Sequence, residues 1–81
     1  MTGVWLALTR TIESIAGPGI ALVTLADAAT FIALMKPWRK ARPHWKYAVG
    51  LLLKAADTRK ITDIEMATAQ MERALRVEGW L

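Results

Sequence analysis

The chain has 81 residues, no cysteine, 54% hydrophobic side chains and a formal net charge of +4. A chain of this length buries only about 60% of the surface it exposes when unfolded, so its own core is marginal. Disulfides are excluded, and a zinc site would have only His44 and carboxylates to draw on, too few strong ligands.

The apolar content exceeds the roughly 45–50% usual in soluble domains. It implies that some apolar surface is shared with a second copy or with another protein. The charge is concentrated. Lys36, Arg39, Lys40, Arg42 and Lys46 supply five of the eleven basic residues, and the rest of the chain carries six basic against seven acidic residues. The net positive charge is therefore one local feature. No repeat or linker divides residues 1–81, which read as a single domain. No secretory signal is read at Met1–Trp5, because a basic leader is lacking and Arg10 and Glu13 interrupt the apolar run. The cytoplasm is the expected location.

In chain order, Val4-Trp5-Leu6-Ala7-Leu8-Thr9 is rich in strand formers and predicts a first strand, with Trp5 on its buried face or at its edge. Gly17-Pro18-Gly19 is a turn signal, and Ile20–Val23 after it predicts a second strand, antiparallel to the first. Residues 10–16 either extend the first strand or form a helical turn. Two strands alone are barely stable in water, so helices must cover them. Ile15–Met35 is long enough to span a bilayer. Asp27 near its middle and the Gly-Pro-Gly turn argue against that reading.

Three amphipathic helices are predicted next, giving an α+β fold of a short hairpin followed by helices. The first begins at Thr24, where Thr24-Leu25-Ala26-Asp27 fits a capping box. Its core stripe is Ala28, Phe31, Ile32 and Met35, and Pro37 ends it. The second begins at Pro43 and carries Trp45, Ala48, Val49 and Leu52 inward, widened by Leu51, Leu53 and Ala56. Gly50 within it reads either as a close helix approach or as a tolerated surface glycine. The third opens on a second capping box, Thr62-Asp63-Ile64-Glu65, with Ile61 and Met66 as a hydrophobic staple. Its inner stripe is Ile64, Ala67, Met71, Ala74 and Leu75. Gly79 is the expected left-handed stop, with Trp80 folding back on Leu75.

The run Asp27-Ala28-Ala29-Thr30-Phe31-Ile32, the Pro37-Trp38 pair, and two helices spaced by Ala48, Leu51-Leu52, Ala67 and Ala74 before Glu78-Gly79 form a recognisable order. This order resembles the bacterial domain-of-unknown-function 982 family across nearly the whole chain. Trp and Pro stand in reversed order here, and a cysteine often seen in that family's second helix is absent. The resemblance implies a small bacterial domain of strands followed by helices, and it brings no activity or site residue with it.

No catalytic constellation is visible. Ser14 and His44 are the sole serine and histidine and lie thirty residues apart, so no nucleophile is paired with a base. His44, beside Pro43, reads as a surface or capping histidine. Asp27, Asp63 and Glu65 fall in helix first turns, where capping accounts for them. No cofactor is implied. The segment Lys36–Lys46 interleaves cations with Trp38 and Trp45, a composition that suits phosphates and stacked bases, an acidic protein, or an anionic membrane surface. It also fits a solvated connection whose tryptophans pack inward, and Trp45 falls on the core stripe. The expected function is a non-enzymatic interaction module, homodimeric, acting on itself or another protein. The alternative is an accessory nucleic-acid-binding protein using Lys36, Arg39, Lys40, Arg42 and Lys46.

Overall fold

The computed structural model describes residues 5–13 and 21–81. Strand β1 (Ala7–Glu13) pairs antiparallel with β2 (Ala21–Thr24), and helices α1 (Leu25–Ala33), α2 (Pro37–Lys40), α3 (Pro43–Thr58) and α4 (Ile61–Val77) follow. The α+β class, a hairpin followed by helices, is as expected. The expected Gly17-Pro18-Gly19 turn and the beginnings of both strands lie outside the described residues.

Residues 10–13 extend the first strand, and Trp5 is 72% exposed rather than inward. Leu8 and Ile12 are buried. The register breaks between Ala7 and Ile12. Arg10 reaches across α4 to the carboxylates of Glu65 and Glu72, and the Thr9 hydroxyl donates to Glu65. Thr9 N–H donates to Thr68 Oγ1 at 3.2 Å, which joins β1 to the middle of α4.

The cap of α1 is as expected. Thr24 Oγ1 accepts from Asp27 N–H at 3.1 Å, and the Asp27 carboxylate accepts from the Val23 and Thr24 amides at 2.9 and 3.0 Å. Those two amide bonds hold the carboxyl below its usual range, against a smaller opposing effect of burial. Helix α1 stops two residues before the end of its apolar stripe, at Ala33. Lys36 is extended, as a residue before proline should be. Pro37, however, also starts the single turn of α2, which raises the helix count from three to four.

Helix α3 begins at Pro43 and buries Trp45, Ala48, Leu52 and Ala55. Val49 and Leu53, expected inside, are 37% and 67% exposed. The second capping box does not form. Helix α4 begins at Ile61 with Lys60 before it and no side-chain cap. Asp63 accepts from the Thr58 hydroxyl instead, and Glu65 is drawn to Thr9 and Arg10. The expected staple is also absent, since Ile61 and Met66 are 68% and 47% exposed.

The inner stripe of α4 is buried as expected, with Thr68 and Gln70 added. At its end Gly79 has φ +77°, Trp80 N–H donates to Leu75 O at 2.8 Å and Gly79 N–H to Arg76 O at 3.0 Å, the two bonds of a Schellman ending. The core joins Leu8, Ile12, Leu22 and Leu25 to Ile32, Trp45, Met71 and Leu75.

Candidate functional site

The basic segment folds back onto the end of α4. Glu78, the residue that caps α4, has a side chain only 3% exposed. Its Oε1 accepts from Arg39 at 2.9 Å and from Arg42 at 3.0 Å, and its Oε2 accepts from the Trp45 indole at 2.9 Å and lies 3.0 Å from His44 Nε2. Burial pushes this carboxyl up. The Trp45 and His44 hydrogen bonds and the charges of Arg42 and Arg39 more than offset it, so it is held below the usual carboxylate range. The Arg39 guanidinium lies between two indoles, 4.7 Å from the Trp38 ring and 4.6 Å from the Trp80 ring. Arg42 lies 5.3 Å from Trp38. Phe31, Trp45 and Trp80 pack edge-on or tilted beneath, with centroids 6.1 to 6.3 Å apart.

Of the five cations singled out from sequence, two therefore converge on one buried carboxylate. Lys36, Lys40 and Lys46 are exposed. Lys40 Nζ donates to Ala33 O at 3.4 Å. His44 is half-buried and belongs to this cluster, which is a structural role. Sequence reasoning did not find Glu78 as the hub. The signal was present, because a carboxylate at a helix C-terminus opposes the helix dipole and requires cations nearby.

A second feature lies farther along α3. An apolar groove of about 290 Å³ runs between α1 and α3, lined by Ala29, Ile32, Val49, Leu52, Leu53 and Ala56 among others. Among the described residues, Lys40 is the one charged residue on its walls. Leu34, which caps α1, is 81% exposed near the same helix end. Helix α1 packs on α3 and on β2, and the groove stays open along the α1–α3 seam with Val49 and Leu53 partly exposed at it.

Among the described residues no group of three or more His, Cys, Asp or Glu side chains is placed to hold a metal ion, and no helix is long and apolar enough to cross a membrane. No protein-family model, characterised protein or solved structure matches the chain, so the family resemblance rests on the residues quoted for it alone.

Proposed function

We propose that the protein is a non-enzymatic interaction module that associates with itself through the α1–α3 groove. The supporting observation is the groove's almost wholly apolar wall, with Leu53 standing 67% exposed at its rim. A small chain with a marginal core gains stability by covering such a surface. Sedimentation equilibrium tests the reading. The wild-type chain is expected to self-associate at micromolar concentration, and Leu53→Glu is expected to be monomeric with unchanged helicity by circular dichroism. A wild-type chain that stays monomeric up to millimolar concentration overturns it.

The alternative reading, an accessory nucleic-acid-binding protein, is supported by the exposure of Lys36, Lys40 and Lys46. It is weakened by the engagement of Arg39 and Arg42 with Glu78. Three exposed lysines give a shallow salt dependence, a slope of about −3 for double-stranded DNA. Titration with random-sequence DNA at two salt concentrations reads that slope, and no binding at low salt removes the alternative.

A further inference from the structure

We propose that α3 of a second copy covers the α1–α3 groove along its Val49–Leu53 rim, running antiparallel, with Lys46 of each chain beside Asp57 of the other and Leu53 of each chain over Gly50 of the other. The inference rests on the self-association proposed above and adds its partner helix and register.

Lys46, Gly50, Leu53 and Asp57 recur every three or four residues on the exposed side of α3, with Val49 beside Gly50. The stripe begins with a cation, ends with an anion and is apolar or bare between them. Lys46 and Asp57 lie eleven positions apart on one helix, a rise of about 16 Å, so they cannot pair within a chain. Neither has an ion pair with any described residue of its own chain.

Turning the helix about a two-fold axis that passes between Leu51 and Leu52 brings Lys46 level with Asp57 of the second copy. The same axis brings Gly50 level with Leu53 of the second copy. Both pairings belong to a single register, which is the self-complementarity that a two-fold interface demands. Gly50 leaves the needed space, since a Cβ built there meets nothing within 4 Å. A leucine from the second copy can then approach the backbone, with Val49 and the groove beside it. Apolar burial drives the contact. The exposed ion pairs, each of small worth, select the antiparallel register over others.

Four chains compared by sedimentation equilibrium test this: wild type, Lys46→Asp, Asp57→Lys and the double reversal. Each reversal puts an anion near the start of α3 or a cation near its end, which suits the helix dipole. A loss of association is then not a loss of folding, and circular dichroism checks this. Each single reversal sets two like-charge pairs in a dimer and is expected to weaken association by roughly tenfold at low salt. The double reversal is expected to return it to the wild-type value, and 1 M salt to shrink all the differences. Unchanged association in the single reversals, or no recovery in the double, overturns the register. If Leu53→Glu still dissociates the dimer in that case, the groove remains the interface. If Leu53→Glu leaves the dimer intact, or the wild type is monomeric throughout, both the register and the groove reading fall.

Discussion

The Trp45 indole donates a 2.9 Å hydrogen bond to Glu78, joining the first turn of α3 to the cap of α4 across 33 positions of sequence. Trp45 is fully buried and the Glu78 side chain nearly so. This bond helps seat the carboxylate on which the two guanidiniums and the imidazole converge.

Replacing Glu78 by Ala leaves the indole N–H and the partly buried Arg39 without an acceptor. The expected loss is about 3 kcal/mol, within the range for removing one partner of a buried pair. Glu78→Gln keeps an acceptor for Trp45 and should cost roughly half as much. Urea denaturation read by tryptophan fluorescence measures both. Equal losses for the two variants would mean that the charge, rather than the indole bond, dominates.

Acid should loosen the same junction. The folded chain holds the Glu78 carboxyl below its ordinary value of 4.5, so it contributes stability above that value. The contribution falls away as pH drops through the folded-state value. Asp27 and Glu65 are lowered as well and act in the same direction. The urea midpoint of the wild type should therefore decline below about pH 4.5, and more steeply than that of Glu78→Gln. Parallel declines would assign the acid sensitivity to other carboxylates.

At the start of α1, Thr24→Ala removes the acceptor for Asp27 N–H and should cost about 1 kcal/mol. For a domain of this size that lowers the melting temperature by roughly 4–8 °C. Thr24→Ser keeps the acceptor and should be close to wild type. Thermal unfolding followed at 222 nm separates the two.

The two helical-segment glycines should respond with opposite signs. Gly79 sits at φ +77° with open space around it, so Gly79→Ala pays only for backbone strain, roughly 1–2 kcal/mol. Gly50 lies inside α3, also in open space. Gly50→Ala should stabilise the isolated chain by up to about 1 kcal/mol. Measuring both well below micromolar concentration keeps self-association out of the comparison.

Local rules sufficed where the partners are close in sequence. Thr24 and Asp27, or Trp80 and Leu75, meet within one or two turns, and the chain itself specifies them. Thr62-Asp63-Ile64-Glu65 has the same spelling as the box at Thr24, yet Thr58 takes Asp63 while Arg10 and Thr9 take Glu65. Tertiary partners more than fifty positions away outbid the local cap at Glu65. The basic segment was legible as a concentration of charge, but not as two halves. Arg39 and Arg42 turn inward because Glu78 is buried beside them, whereas Lys36 and Lys46 stay in solvent.

Helices α3 and α4 are joined by Arg59 and Lys60 alone, whereas Arg10 meets Glu72 across 62 positions. The entropy of closing a loop grows with its length, so the helical pair assembles at less cost than the docking of β1 on α4. The order of events follows: a helical hairpin first, the strand seated on it afterwards. Shortening Leu8 should mainly hasten unfolding, while loosening the α3–α4 seam at Gln70, whose amide donates to His44 O, should mainly slow refolding.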